Sequence, residues 1–314
     1  MADPNIATKA PESDVQEELT PQTSPSPVAG EHCVTDRPLP SGRAATGEII
    51  DINGVKVYIS KPSDYPHAPA RLLLLLTGGT GLKSVNNQIQ ADKYASEGFL
   101  VAMPDLFDGD AAPNASILEE EDTGSSLLDM VRMRAVEATK SFMIDMWMAR
   151  HTEEKILPIL HKVVDGCKEK FADAVQHGDG IYAVGYCIGG RYILLLGSET
   201  PAPTGPVDEE AGAVRRAPLI KVGALAHAAS VNPDDFKNLK VPVSLVCVEN
   251  DPLFPDDVRT LGEDAMASAN LEHEVKVYPG VPHGFAVVGQ YDDEGIKEAQ
   301  ETAYDQMLRW VKEH

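Results

Sequence analysis

The sequence predicts a single-domain α/β protein with a mostly parallel, doubly wound sheet. Short apolar stretches of strand length alternate with loops and helical patterns, as where Arg71–Leu76 precedes a helical pattern at residues 87–97. Continuous apolar stretches of this kind are typical of central strands that are buried on both faces. Because repeated strand–loop–helix units place helices on both sides of a parallel sheet, this alternation indicates an α/β layer architecture.

The first predicted element is a β-hairpin with the tight turn Asn53-Gly54. Strands are expected at residues 48–52, 55–59, 71–76, 99–103, 181–184, 219–226, 243–248 and 274–278. Helices are expected at residues 87–97, 256–269 and 293–312, and along 127–170 with an interruption near Pro158. Residues 200–218 indicate a surface loop, and residues 108–124 indicate a solvated loop or a lid.

The charge composition of the chain indicates which classes of binding partner are not expected. The 314 residues carry a formal net charge of −22, so neither nucleic acid nor an anionic membrane is an expected partner. Residues 1–32 are rich in Pro, Ser, Thr and Glu and are expected to form a disordered tail, because they contain too few large apolar side chains to bury. Residues 33–314 then form the folded domain. The oligomeric state is not predicted.

The four cysteines are scattered and show no metal-ligand spacing, which argues against a disulfide framework or a zinc site. A reducing, cytoplasmic location is therefore expected. The longest apolar stretch, Leu72–Leu76, is too short to cross a membrane, and no secretory signal is evident. No metal is expected.

The strongest chemical motif is the segment Gly185-Tyr186-Cys187-Ile188-Gly189-Gly190. It follows the strand pattern at 181–184 and precedes an apolar helical segment, which is the setting of a nucleophile elbow with cysteine in place of serine. The turn is sharp, so the residues two before and two after the nucleophile must be small. A thiol at a helix amino terminus is favoured as the thiolate. The motif predicts an α/β-hydrolase fold with Cys187 as nucleophile, and an unreactive buried thiol is the alternative.

A thiol nucleophile in this fold needs an acid and a histidine, which follow it in that chain order. Asp251 lies just past the strand at 243–248, where the fold places its acid. Other acids near this strand end are weaker candidates: Glu249, Asp256 and Asp257. His283 lies in a tight loop after the last predicted strand. These positions predict a triad of Cys187, Asp251 and His283.

Two backbone amides are expected to bind the oxyanion that develops during acyl transfer. The amide of Ile188 directly follows the nucleophile. The second amide is expected from the loop Thr77–Gly81, whose glycines let the backbone approach a substrate closely. A phosphate-binding loop is the alternative for this segment, but both common phosphate-loop motifs are absent.

The long helical stretch carries five of the nine methionines, which suit an adaptable pocket wall or, equally, ordinary helix core. These are Met130, Met133, Met143, Met146 and Met148, beside Phe142 and Trp147. The residues expected in the substrate pocket are Gly78, Thr80, Tyr186, Trp147 and Phe285. His227 ends a strand and is interpreted as a structural histidine, with a place in the site as the alternative. His151 and His161 are interpreted as surface or cap residues.

Together these residues resemble the dienelactone hydrolase family, particularly its fungal members. The matching segments are the elbow at 185–190, Asp251–Pro255, Pro282–Phe285, Ala95–Phe99 and Met103–Leu106. The resemblance covers roughly residues 33 to 314. It implies that a Cys187–His283–Asp251 triad hydrolyses a small-molecule ester or lactone without a cofactor, with Ile188 and Gly79 supplying the oxyanion amides.

Two positions depart from the best-known bacterial members of that family. Those proteins carry a glutamate where this chain has Gly78, and an arginine three residues after the histidine, where this chain has Ala286. Neither residue is charged here. The departures favour a neutral or more apolar ester, lactone or thioester over dienelactone itself.

Two alternatives to a hydrolase are open at this point. A catalytically silent protein could keep the fold as a binding or regulatory module, which the missing acid at Gly78 motivates. A redox sensor could be built on a reactive Cys187, although the sequence shows no neighbouring resolving cysteine.

Overall fold

The computed structural model describes residues 36–39, 44–112, 142–201 and 215–314. The tail predicted at 1–32 lies outside these residues. So do the segments 113–124 and 202–214 of the two predicted insertions, and residues 127–141 of the long helical stretch with Met130 and Met133.

An eight-stranded sheet forms the centre of the described structure, in the order β1-β2-β4-β3-β5-β8-β9-β10. Its strands are β1 (Glu48–Ile52), β2 (Val55–Ser60), β3 (Arg71–Leu76), β4 (Phe99–Pro104), β5 (Tyr182–Tyr186), β8 (Val222–Ala226), β9 (Val243–Val248) and β10 (His273–Tyr278). β6 (Thr200–Pro201) and β7 (Arg215–Arg216) pair separately. The hairpin strand β2 is antiparallel to β1 and β4, and every other pair in the large sheet is parallel. The predicted mostly parallel sheet is confirmed.

Helices cover both faces of this sheet. They are α1 (Val85–Ser96), α2 (residues 142–150), α3 (Glu153–Lys170), α4 (Ala172–His177), α5 (Ile188–Leu196), α6 (Asp256–Ser268) and α7 (Glu294–Glu313). Alternate side chains of β3 enter two separate apolar cores: Leu74 packs in the core that contains Leu160 of α3, and Leu75 in the core that contains Met307 of α7. This alternation follows from the two-residue repeat of a strand and confirms the doubly wound arrangement.

The order of the strands identifies where a site can form. From β3 the chain first adds β4 on one side and later adds β5 on the other side. Ligands of open α/β sheets bind at such a switch point, in the crevice outside the carboxyl ends of the strands. Gly78 follows β3 and Cys187 follows β5, so the glycine loop and the elbow lie at this crevice.

Two predicted element bounds are wrong for local reasons. Pro158 lies inside α3 and does not interrupt it; the break comes at residues 151–152, where Thr152 is the amino-terminal cap of α3. Pro158 and Glu154 are both exposed, so water can reach the carbonyl that the proline ring leaves without a partner. α1 begins two residues earlier than predicted, because the Ser84 hydroxyl accepts a hydrogen bond from the Asn87 amide (3.2 Å).

No helix among the described residues combines the length and apolar character needed to span a bilayer.

The helix after the elbow packs very closely on the end of β3. The Gly189 amide donates to the Thr77 carbonyl (3.1 Å), and a β-carbon on Gly189 would overlap the Leu76 and Thr77 carbonyls. A β-carbon on Gly185 would likewise overlap the backbone of Gly189. The requirement for small residues on both sides of Cys187 is therefore steric. Because these residues are glycines, β5, α5 and the glycine loop can pack closely against one another.

The Gly189→Ala variant is expected to lose about 3 kcal/mol or more of unfolding free energy, because its methyl group has no room against backbone that cannot move aside. Urea unfolding measures this change. Gly295→Ala is the matched control: in the first turn of α7 its methyl group meets only Asp293 Oδ1 at 3.1 Å, so its stability should stay close to that of the parent. Equal effects of the two substitutions would contradict the packing argument.

Candidate active site

Cys187 lies at the turn between β5 and α5 in a strained backbone conformation. Its φ is 53° and its ψ is −122°, and it occupies the cap position of α5. Left-handed φ values of a non-glycine residue cost on the order of 1–3 kcal/mol and persist where the surroundings fix them. Here the Cys187 amide donates to Ala226 (3.1 Å), and its carbonyl accepts from Gly190 (2.9 Å) and Ala229 (3.0 Å). The side chain is held at a helix amino terminus with 3% of the residue exposed.

His283 and Asp251 form a buried pair. The Asp251 Oδ2 atom lies 2.7 Å from His283 Nδ1, and the side chains are 1% and 5% exposed. Asp251 Oδ1 accepts a second hydrogen bond from the Leu253 amide (3.0 Å), which orients the carboxylate. The weaker candidates lie elsewhere: Glu249 and Asp257 are exposed, and Asp256 pairs with Arg259.

The charge state of His283 follows from its neighbours. Burial acts to lower the pKa of His283, but the hydrogen bond to Asp251 and the nearby Cys187 side chain together outweigh it and raise the pKa to about 9. Asp251 lies at Nδ1, and the other ring nitrogen, Nε2, is buried and has no hydrogen-bond partner among the described residues. The described chain thus brings together the three residues that the sequence singled out.

The glycine loop after β3 lies directly against the elbow. A β-carbon on Gly78 would be 3.0 Å from the Cys187 β-carbon and 3.7 Å from its Sγ atom, so the backbone itself approaches the thiol at this position. The amides of Gly79 and Ile188 make no hydrogen bond to another described residue. Both are therefore available as donors beside the thiol, as an oxyanion site requires.

A cavity of about 30 Å³ lies beside Cys187. Its lining includes Gly78 and Thr80, two of the residues expected in the substrate pocket, and His227. This volume is enough for a water molecule and far below the several hundred Å³ of typical ligand pockets.

One wall of the cavity comes from the segment 36–39, which the sequence did not indicate. The Asp36 carboxylate accepts from the Ser84 hydroxyl (2.6 Å), and the Arg37 guanidinium lies over the Tyr291 ring at 3.8 Å from its centroid. The Asn86 amide group donates to the Arg37 carbonyl (2.8 Å). Both Asp36 and Arg37 line the cavity. No local pattern reveals this contact, because it joins segments about 50 residues apart or more.

Three residues predicted in the substrate pocket are instead packed in the cores. The Tyr186 hydroxyl is bonded to Gln90 and Tyr94, at 3.0 Å each. Trp147 Nε1 donates to the Asp110 carbonyl (2.7 Å), and Phe285 is fully buried. Tyr186 ends β5 directly before Cys187, but successive residues at a strand end point to opposite faces. Phe285 lies in the loop after β10, and Trp147 packs on Phe107.

The methionine-rich wall is also not found at the described cavity. Met143 and Met146 are exposed on α2, and Met148 packs against the core. His151 caps the end of α2 through a contact of Nδ1 with the Trp147 carbonyl (2.9 Å), and His161 is half-buried on α3.

The described residues include no cluster of three or more His, Cys, Asp or Glu side chains that could hold a metal ion.

The amino-acid sequence was compared with known proteins and protein families. The model of the family described as "Dienelactone hydrolase family" matches residues 55–314. Hydrolase pyvD of Aspergillus violaceofuscus is 27% identical over 268 residues, which cover 85% of this chain and 90% of that protein. Dienlactone hydrolase 1 of Gibberella moniliformis is 27% identical over 269 residues, covering 85% and 87%.

A solved structure shares the fold. It is a dienelactone hydrolase candidate from Klebsiella pneumoniae, with a TM-score of 0.61 and 18% identity over 87% of this chain and 100% of that chain. At this identity the likeness establishes a common fold, and the expected α/β-hydrolase architecture is confirmed.

The Asp251→Asn variant is expected to lower the pKa of His283 from about 9, because it removes the carboxylate charge while burial continues to oppose protonation. In the parent, the raised pKa adds stability below the ordinary histidine value of about 6.5, and this contribution is lost as the pH rises towards 9. NMR titration of ring-labelled histidine measures the pKa, and urea unfolding at pH 6 and pH 9 measures the linkage. An unchanged His283 titration in the variant would contradict this assignment.

Proposed function

The chain belongs to the dienelactone hydrolase family, and we propose on that premise that it hydrolyses a carboxylic ester or lactone through a thioester on Cys187. The observation that carries the proposal is the buried hydrogen bond of 2.7 Å between Asp251 and His283, on a ring whose pKa also responds to the Cys187 thiol. A base held by an orienting acid beside a nucleophile is the arrangement that nucleophilic catalysis requires.

The resting site is proposed to hold a thiolate beside an imidazolium. With its pKa raised to about 9, His283 carries a proton at neutral pH. A positive charge next to a thiol and the amino terminus of α5 both favour the thiolate. The nucleophile is therefore charged before the substrate arrives.

Acylation begins when the Cys187 thiolate attacks the carbonyl carbon of the ester. The amides of Ile188 and Gly79 bind the oxygen as it becomes negative. When the tetrahedral adduct collapses, the C–O bond breaks, and His283 gives its proton to the departing alkoxide. The products of this half-reaction are an alcohol, a thioester on Cys187 and a neutral His283 that Asp251 still orients.

The proposed substrate class is a neutral ester, lactone or thioester. Asp36 and Arg37 contribute one negative and one positive side chain to the cavity wall, so neither sign of charge dominates it. Gly78 also lines the cavity and is uncharged, and Ala286 is packed in the core. The methionines give this proposal no support, since none of the described ones lines the cavity.

The proposed location is a reducing compartment such as the cytoplasm. Cys167, Cys187 and Cys247 form no disulfide bond in the described part of the chain, and a reactive thiolate nucleophile persists only where thiols stay reduced.

The Cys187→Ala variant is expected to lose at least about 10³-fold in kcat/KM on p-nitrophenyl esters while keeping its fold, because no other group can form the thioester. Cys247→Ala is the matched control: burial raises the pKa of the Cys247 thiol to about 12, so it is unreactive. Iodoacetamide should label Cys187 faster than Cys167 or Cys247.

Retained activity in Cys187→Ala would exclude the proposed mechanism. A parent protein with no hydrolytic activity and with slow labelling of Cys187 would favour the silent binding module.

A further inference from the structure

A second histidine stands at the carboxyl end of the neighbouring strand. His227 directly follows β8, and its amide donates to the Val246 carbonyl (2.7 Å). Its φ is 37°, in the left-handed region that costs energy for a side chain of this size. The ring is 1% exposed, lines the cavity beside Cys187, and has its centroid 5.0 Å from the centroid of the His283 ring.

Neither ring nitrogen of His227 has a hydrogen-bond partner among the described residues. A buried polar group without a partner costs on the order of 1–3 kcal/mol, and such groups in native structures call for an explanation. If His227 only filled space against Tyr186 and Phe285, an apolar side chain would avoid this cost. The unpartnered nitrogens beside the cavity point to a ligand that arrives during the reaction.

The charge state of His227 restricts what that ligand can be. Burial and the positive charge of His283 hold the pKa of His227 well below its usual range, so the ring is neutral. A neutral imidazole offers one N–H donor and one acceptor nitrogen. A water molecule satisfies an acceptor nitrogen, and the cavity of about 30 Å³ is large enough for one.

We propose that His227 binds and orients the water molecule that hydrolyses the thioester on Cys187. This inference rests on the proposed function and assigns a second histidine to its second half-reaction. The water donates one hydrogen bond to His227 and the other to the neutral His283, which directs a lone pair of its oxygen at the thioester carbon.

Hydrolysis of the thioester forms one bond to the acyl carbon and breaks another. A C–O bond forms between the water oxygen and the acyl carbon, and one water proton moves to His283. The tetrahedral adduct then breaks its C–S bond and releases the Cys187 thiolate beside the imidazolium of His283. The carboxylic acid leaves with the second water proton and ionises in solvent, so the resting pair is restored. His227 holds the water throughout and takes no proton.

The test separates the two half-reactions by stopped-flow kinetics with p-nitrophenyl acetate. In His227→Phe, deacylation is expected to slow about 100-fold, a typical loss for a positioned proton-transfer step, while acylation changes less than about threefold. The release of p-nitrophenol should then show a burst that approaches one equivalent per active site. His227→Gln keeps a donor and an acceptor and should recover part of the deacylation rate, which a purely space-filling role would not predict.

His273→Gln is the matched control, because His273 lies at the opposite, amino-terminal end of β10, where its ring contacts the Leu271 carbonyl (2.7 Å). Its two rate constants should equal those of the parent. Equal slowing of acylation and deacylation in both His227 variants, or no change in either rate, overturns the role of His227 while the thioester mechanism stands. A parent that forms no acyl-enzyme overturns both.

Discussion

The buried hydrogen bond between Asp251 and His283 connects the loops that follow β9 and β10, 32 residues apart in the chain. Several properties of the site depend on it. Together with the nearby Cys187 side chain it outweighs the effect of burial and raises the pKa of His283 to about 9. The positive charge of His283 adds to burial in lowering the pKa of His227. In the proposed mechanism the same charge favours the thiolate of Cys187.

The sheet provides the rigid frame for this pair. All the groups in question follow the carboxyl ends of parallel strands: Gly78 follows β3, Cys187 follows β5, His227 follows β8 and Asp251 follows β9. Because these strands are adjacent in the sheet, their ends meet at one edge. The close approach of Gly189 to the end of β3 then fixes how far the elbow stands from the glycine loop. Distances within the site are set by the backbone, which cannot adapt as side chains do.

The features of the fold and site that could be predicted from the sequence depend on interactions between residues close together in the chain. The strand positions followed from apolar stretches, and the elbow from two glycines around one cysteine, because steric limits on a sharp turn act within five residues. Pro158 misled the helix prediction, since the cost of a proline depends on whether water reaches the freed carbonyl. Tyr186 and Phe285 were misplaced because adjacency in sequence does not give the side-chain direction. The wall formed by Asp36 and Arg37 depends on contacts with residues as distant as Tyr291, for which the sequence carries no short-range signal.

The proposed mechanism requires a covalent acyl intermediate on the Cys187 sulfur atom, and this intermediate can be observed directly. The protein is mixed with a slowly hydrolysed ester, quenched in acid during turnover, digested and mapped by mass spectrometry. A thioester mechanism predicts one acyl group per chain, on the peptide that contains Cys187, and the loss of this group on treatment with hydroxylamine. Turnover without any acylated peptide, or with acylation only at Cys167 or Cys247, would contradict it.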